Sequence, residues 1–277
     1  MIVNVKEIVE NKKQDLKIRV NNLKEKKIYP KLAIIKASLD KASDVYIGKK
    51  RKLCEEIGIL EEEYFFEEST TDQEIIKLIN KLNEDKSVDG ILLQLPLFKH
   101  LNEKEILDNI LPSKDADGLT KANFGKLITG QKGIISCTPK GIMTILDSLG
   151  IDVMGKNATV IGRSILVGKP MSLLLLERGA TVTTCHSKTQ NLKEHTKNAD
   201  ILIVAVGKPG LVTKDMVKEG ATVVDVGITR TDDGIKGDVD TIGVENVAGY
   251  VTPVPGGVGL TTVLSLIENV IEIAEKR

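Results

Sequence analysis

From Pro30 onward, hydrophobic positions along the chain switch repeatedly between two periods. Residues 32–35 are a short apolar run of strand length, and residues 43–57 carry apolar positions at helical spacing until Gly58 stops them. A second strand is expected at 64–66. Thr71 and Glu74 form a capping-box pattern ahead of Ile75, Ile76, Leu78, Ile79 and Leu82, which predicts a helix there. Residues 90–95 read as a fully buried strand. Between 111 and 133 the period disappears and Pro, Lys, Asp and Gly dominate, so this stretch is expected to be a functional loop approaching a second domain. Thr138 and Pro139 read as the N-cap and first-turn proline of a helix reaching about Leu149.

The alternation then resumes. Residues 158–161, 180–184, 201–206 and 221–226 predict four strands with helices between them, and 261–275 predicts a closing helix. Strands alternating with helices mean βαβ units and mainly parallel sheets. The expected fold class is therefore α/β, with two βαβ-type domains, the second Rossmann-like. The expected boundaries are 1–136 and 137–260, with the last helix, 261–277, packing back on the first domain.

Composition narrows the function classes. The chain has 277 residues, 41% hydrophobic and 28% charged, as a folded protein with real cores should. Lys+Arg and Asp+Glu both number 39, so the basic excess that nucleic-acid or membrane-surface binding needs is missing. No apolar run reaches membrane-spanning length, and residues 1–9 lack a signal-peptide core. Cys54, Cys137 and Cys185 are far apart and show no zinc spacing, so reduced thiols and a cytoplasmic location are expected.

Three places carry candidate chemistry. Gly162, Arg163 and Gly168, ahead of Pro170, mark a sharp turn from strand into helix that points backbone N–H groups at a phosphate. No Asp or Glu occurs from Ala180 to Thr189, where an NAD-binding fold places the acid that holds the ribose hydroxyls. Arg163, Ser187 and Lys188 would instead meet a 2′-phosphate, which favours NADP over NAD. His186 reads as structural, and His100 and His195 as surface residues.

Tyr46 and Lys50 share one helix face at i, i+4, with Ser43 one turn earlier. The run Lys49-Lys50-Arg51-Lys52 is either a solvated face or the setting of a lysine whose pKa is lowered by burial or neighbouring positive charge. Gln94 is either a solvent-facing strand end or a polar group with partners. Asp115 and Asp117 could bind a metal or an amino-heterocycle, but no acidic or histidine cluster accompanies them. Residues 252–259 combine rigid prolines with permissive glycines, as in a tight helix entry or a close ligand contact.

Taken in order, these segments resemble the bifunctional methylenetetrahydrofolate dehydrogenase/methenyltetrahydrofolate cyclohydrolase family. The pieces are Ser43-x-x-Tyr46-x-x-x-Lys50, Gly90 to Pro96, Lys114-Asp-Ala-Asp-Gly118, Cys137-Thr-Pro139, Gly162 to Gly168, Cys185-His-Ser187, Asp225-Val-Gly-Ile228 and Pro253 to Gly259. The resemblance implies a folate cleft between the two domains. It implies oxidation of 5,10-methylenetetrahydrofolate with NADP, then hydrolysis to 10-formyltetrahydrofolate. It further implies that Tyr46 stacks on the folate, Lys50 handles the proton of the hydrolytic step, Gln94 tunes Lys50, and Asp117 binds the pterin edge. Leu93, Leu95, Pro255, Gly256, Gly257, Val258 and Gly259 would line the folate site. Gly162, Arg163, Ser164, Ser187 and Ile228 would hold NADP, with no metal and a homodimeric assembly.

The sequence departs from the family's usual pattern at Phe98, Ala116, Ser136, Thr229 and Leu260. None of these removes a named catalytic residue, and Thr229 and Leu260 bear on cofactor preference. Two competing readings are an enzyme keeping one of the two activities and a catalytically silent NADP-binding sensor. The joint presence of Tyr46, Lys50, Gln94 and Asp117 argues against the sensor.

Overall fold

The computed structural model describes residues 1–232 and 234–277. In chain order its elements begin α1 (Val5–Glu25), β1 (Lys31–Lys36), α2 (Lys41–Ile57), β2 (Leu60–Phe65), α3 (Asp72–Glu84), β3 (Gly90–Gln94), α4 (Glu103–Asp108), α5 (Lys121–Ile128) and α6 (Cys137–Ser148). They continue with β4 (Asn157–Ile161), α7 (Gly168–Glu177), β5 (Thr181–Cys185), α8 (Leu192–Thr196), β6 (Ile201–Val204), β7 (Thr222–Asp225), β8 (Thr229–Thr231), β9 (Gly234–Lys236), α9 (Thr241–Glu245), β10 (Tyr250–Val251) and α10 (Val258–Ala274). The α/β expectation holds. The chain divides into two compact units, one of Asn11–Cys137 with Val263–Arg277, the other of Met1–Glu10 with Thr138–Thr262.

The first unit is built on a parallel sheet of order β2-β1-β3, in which Ile35 is registered with Leu93 and Lys36 with Gln94. β1 is central and its apolar run is buried from Leu32 to Ala37, as a strand covered on both faces requires. Ile75, Ile79 and Leu82 of α3 pack into the same core as Ile35, Ile91 and Leu93. The capping box is formed: Glu74 N donates to Thr71 Oγ1 at 3.4 Å and Thr71 N to Glu74 Oε2 at 2.8 Å. Such a cap stabilises a helix by about 0.5–2 kcal/mol. Residues 114–116 run beside β3, with Ile91 N donating to Lys114 O at 2.7 Å and Ala116 N to Ile91 O at 3.2 Å. A Cβ on Gly90 would meet Val270 at 2.8 Å, so α10 lies hard against the start of β3.

The second unit has five parallel strands in the order β10-β7-β6-β4-β5, one more than the four expected. The extra strand, β10, is only two residues long and carries no readable period. The chain progresses outward from β4 in both directions, so the crevice beyond the carboxyl ends of β4 and β6 is the switch point where such folds bind ligands. The first residues belong here: Val3 N donates to Val251 O and Val251 N to Met1 O, both at 2.9 Å.

Several local expectations are corrected. β2 begins at Leu60, four residues early, because Glu61, Glu62 and Glu63 disguise an edge strand paired only with β1. The aperiodic stretch 111–133 contains α5, capped by Thr120 Oγ1, which accepts from Asn123 N at 3.4 Å. Thr138 lies inside α6 rather than capping it, and its hydroxyl accepts from Thr262 Oγ1 at 3.2 Å. α10 starts at Val258, three residues earlier than its apolar stripe suggests.

Candidate active site

Within the first unit, the carboxyl ends of β1 and β3 and the inner face of α2 converge. Lys50 Nζ donates to Gln94 Oε1 at 2.7 Å, and Gln94 Nε2 donates to its neighbour's carbonyl, Leu95 O, at 2.8 Å. The second bond orients the amide, so its oxygen faces the lysine. Gln94 is thus the partnered polar strand end, not a solvent-facing one. Ser43 Oγ donates to Asp40 Oδ2 at 2.9 Å and reaches Leu95 O at 3.5 Å, bracing the same strand end from the start of α2.

Four consecutive bases meet four different fates on α2. Lys49 Nζ sits 5.5 Å from the centre of the Tyr46 ring, a cation–π distance. Lys50 points inward to Gln94. Arg51 forks onto Glu63 of β2, with Nε 2.8 Å from Oε1 and Nη2 2.6 Å from Oε2. Lys52 is exposed. Burial pushes the Lys50 pKa down, opposed by the charge of Asp117 and more weakly by Cys137 and Cys54. Neighbouring positive charge is not among the causes, so burial, of the two possible routes, is the one used.

The two aspartates of Lys114-Asp-Ala-Asp-Gly118 have opposite roles. Asp115 is buried and accepts from Leu119 N at 3.2 Å, Thr120 N at 2.9 Å and Asn123 Nδ2 at 2.9 Å. Its oxygens are committed to folding the turn. Asp117 is half-buried; burial raises its pKa, opposed first by Lys50 and then by a hydrogen bond with the Cys137 thiol. With Asp115 occupied, the pair does not offer two free carboxylates. Among the described residues, no three His, Cys, Asp or Glu side chains are placed to hold a metal.

Sequence reasoning overlooked the groups that hold this wall. Asn269 of α10 donates from Nδ2 to Ala116 O and to Ile135 O, each at 2.9 Å. The bonds tether the residues on either side of Gly118, whose added Cβ would strike Ser136 N at 2.7 Å. A buried asparagine in a strongly apolar helix was the available signal. Lys36, 7% exposed at the end of β1, ion-pairs with Asp44 of α2 and escaped notice for lack of a motif.

In the second unit the strand-to-helix turn after β4 is as tight as its glycines suggest. Gly162 has φ +133°, and an added Cβ would lie 2.4 Å from Ala205 O. A Cβ on Gly168 would lie 2.2 Å from Gly162 O. Ser164 Oγ accepts from Val167 N at 3.1 Å and Gly168 N at 3.4 Å, and Ser164 O accepts from Lys169 N at 3.0 Å. The first turn of α7 is therefore satisfied internally. Within the turn, the N–H groups of Arg163 to Leu166 are the ones without a protein partner among the described residues, so the loop and not the helix end presents free donors.

Arg163, Ser164 and Ser187 are exposed at this edge, and β5 ends in Cys185 and a half-buried His186 with no carboxylate following. The Nδ1 of His186 faces Lys188 N at 3.1 Å, a structural turn contact. Two buried carboxylates tie the neighbouring loops together. Asp238 accepts from Val206, Gly207 and Lys208 N–H groups at 2.7, 3.0 and 2.6 Å. Asp225 accepts from Gly227, Asp238 and Val239 N–H groups at 2.9, 3.0 and 2.9 Å. This scaffold sets Ile228, 49% exposed, beside Gly259, whose Cβ would lie 3.7 Å from Ile228 Cδ1. Pro255 to Gly259 form the turn into α10, following Val254 through a cis bond to Pro255.

A doubly wound parallel sheet with a glycine-walled turn at its switch point, together with a half-buried lysine held by a glutamine and faced by an aspartate, defines an α/β enzyme that uses a dinucleotide. Residues 3–117 match the catalytic domain, and residues 136–277 the NAD(P)-binding domain, of tetrahydrofolate dehydrogenase/cyclohydrolase. The chain belongs to that family, as its ordered motifs suggested. A protein of Acetivibrio thermocellus named bifunctional protein FolD is 48% identical over 275 residues, 99% of this chain and 96% of its own length. The crystal structure of the bifunctional FolD dehydrogenase/cyclohydrolase from Campylobacter jejuni superposes with a TM-score of 0.98 at 45% identity, covering 100% of this chain and 99% of that one. The Trypanosoma brucei dehydrogenase-cyclohydrolase, solved with NADP cofactor and inhibitor, gives 0.93 at 31% identity over 100% and 97% of the two chains.

Proposed function

We propose that this protein oxidises 5,10-methylenetetrahydrofolate to the 5,10-methenyl form with NADP and then hydrolyses that product to 10-formyltetrahydrofolate. The observation that carries the reading is the Lys50–Gln94 hydrogen bond of 2.7 Å, in a site where burial lowers the lysine's pKa. It accompanies a dinucleotide turn walled by two glycines in the same chain.

Lys50, as a neutral amine, accepts the proton of the water that attacks the methenyl carbon. The carbon–N5 bond then breaks as the added hydroxyl becomes the formyl oxygen and releases its remaining proton to solvent; the carbon stays on N10 as a formyl group, and the ammonium of Lys50 returns the first proton to N5. Gln94 holds the lysine by one N–H, leaving the remaining positions of the nitrogen for this transfer. Tyr46 provides a flat surface for the pterin, with Leu95 beside it; the side chain of Leu93, expected there too, is spent in the core against α3. Asp117, whose oxygens are not committed to the fold as those of Asp115 are, accepts N–H groups of the pterin edge. Pro255 to Gly259 supply further backbone contact to folate.

The turn after β4 fits a dinucleotide because Gly162 and Gly168 let the backbone fold tightly enough to present the N–H groups of residues 163–166, unpartnered among the described residues. When bound, NADP supplies the hydride acceptor. Gly162 and Ser164 hold its phosphates, Ile228 packs on it, and Arg163 and Ser187 take its 2′-phosphate where no carboxylate competes. The formed Lys50–Gln94 pair supports two activities over a silent sensor. We further place the enzyme in the cytoplasm as a homodimer; no helix among the described residues is long and apolar enough to cross a membrane.

Purified protein given methylenetetrahydrofolate and NADP should form NADPH and then 10-formyltetrahydrofolate. Absence of turnover with both NADP and NAD would sink the dehydrogenase assignment, and accumulation of the methenyl form at its uncatalysed decay rate would sink the hydrolase one.

A further inference from the structure

A cavity of about 690 Å³ lies in the first unit at the opposite end of β3 from Gln94. Val88 and Asp89, which line it, precede the strand, whereas Gln94 ends it. Five strand residues put roughly 13 Å between the two ends. The walls come from the end of α3, the segment 112–114, α5 and the loop after it, and the last residues of the chain.

The lining is strongly basic although the chain as a whole is neutral. Lys86, Lys114, Lys126, Lys132, Lys276 and Arg277 face it, against the carboxylates Glu84 and Asp89. Asp89 is already engaged: Arg277 Nε lies 2.9 Å from its Oδ1, and Lys31 N donates to Oδ2 at 2.8 Å. Lys114 is also spent, donating from Nζ to Leu82 O at 2.8 Å and Asp85 O at 2.6 Å, where it caps the carbonyl end of α3. Lys86, Lys126, Lys132 and Lys276 form no ion pair among the described residues.

Elsewhere on the molecule lysines find carboxylates, as Lys31 does with Glu62, Lys193 with Asp215 and Lys218 with Asp200. Four unpaired ammonium groups around one concavity repel one another, a cost that a bound anion removes. Val88, Ile134 and Ile273 add apolar wall between the charges.

We propose that this cavity is a binding site for a small, multiply charged anion, a polyphosphate or polycarboxylate metabolite, separate from the folate and NADP sites. The lysines take the anionic groups as point charges, and the apolar wall takes the body of the molecule.

The test is calorimetric titration of the full chain, with NADP at saturation so that the dinucleotide turn is filled, using sodium pyrophosphate and, separately, citrate. Pyrophosphate should bind once per chain and weaken several-fold as salt is raised. Lys132→Glu combined with Lys276→Glu, both at exposed positions, should lower the affinity by tenfold or more, and Lys126→Ala should lower it less. Arg163→Ala, which alters the dinucleotide turn, should leave it unchanged. Citrate binding with the same loss in the double variant extends the ligand class to carboxylates, and no citrate binding restricts it to phosphates; either supports the site. Three results overturn it: no binding at millimolar pyrophosphate, binding undiminished in the double variant, or binding abolished by Arg163→Ala. Dehydrogenase activity followed in the same preparations is expected to be unchanged in the double variant, so failure of this proposal is distinct from failure of the enzyme assignment.

Discussion

Asp115 and Asp117, two residues apart, stand in opposite surroundings. Asp115 receives three N–H donors and is 1% exposed, whereas Asp117 keeps a half-buried carboxyl whose charge bears on Lys50. One short turn thus carries both a folding element and the group proposed to bind the pterin edge.

The two aspartates should respond differently to the same substitution. Asp115→Asn replaces one accepting oxygen with a donor facing a backbone N–H, which should cost about 1–3 kcal/mol of stability. Asp117→Asn should leave the unfolding midpoint close to the parent's but raise KM for methylenetetrahydrofolate. Denaturant unfolding and steady-state kinetics on both variants check this; similar stability losses would contradict the division.

Lys50→Met should lower methenyl hydrolysis by about 10²–10⁴-fold, the usual worth of a positioned proton carrier, while NADP binding persists. In the parent, hydrolysis should fall as pH drops through the lysine's lowered pKa, because the amine becomes protonated. Asp117 raises that pKa. In any residual activity of Asp117→Asn the acid limb should therefore move to lower pH, and a shift to higher pH would reverse the assigned sign.

Arg163→Ala should cost NADP about 10–100-fold in kcat/KM through loss of a charge-assisted contact, with a much smaller effect on NAD. Equal losses for the two cofactors would mean that the arginine does not read the 2′-phosphate.

Burial lifts Asp225 to a pKa of about 6, and its three backbone N–H partners oppose the rise without cancelling it. Its unfolded value is near 3.8. Between those values the folded protein binds the extra proton, so this group's contribution to stability is present below about 3.8 and is lost as pH rises through about 6. The stability advantage of the parent over Asp225→Asn should thus shrink, by on the order of 3 kcal/mol, between pH 4 and pH 7. Unfolding curves for both proteins at the two pH values measure it.

Much of the architecture was legible because it is local. Alternating periods marked the main strands and helices of both units, and the Thr71–Glu74 capping box appeared as written. What stayed hidden depends on tertiary context. The glutamates of β2 are tolerated by an edge strand, and α1 shows little apolar contrast between its faces. Met1 to Val3 gain structure by meeting residues 248–251. At the site, motif order brought Lys50, Gln94 and Asp117 into view, but not Asn269, which acts from more than 130 residues away in sequence on Ala116 and Ile135.

The four bases of α2 show how little of this chemistry resides in composition. Successive residues on a helix are about 100° apart, so Lys49, Lys50, Arg51 and Lys52 look in four directions. Deleting one residue between Tyr46 and Lys50 would barely change the charge of the run, yet it would rotate Arg51 into the azimuth of Lys50. A guanidinium there cannot surrender its proton near neutral pH. On the role proposed for Lys50, the hydrolytic activity is encoded in the phase of a single helix, where a shift of one position would exchange a proton carrier for a fixed charge.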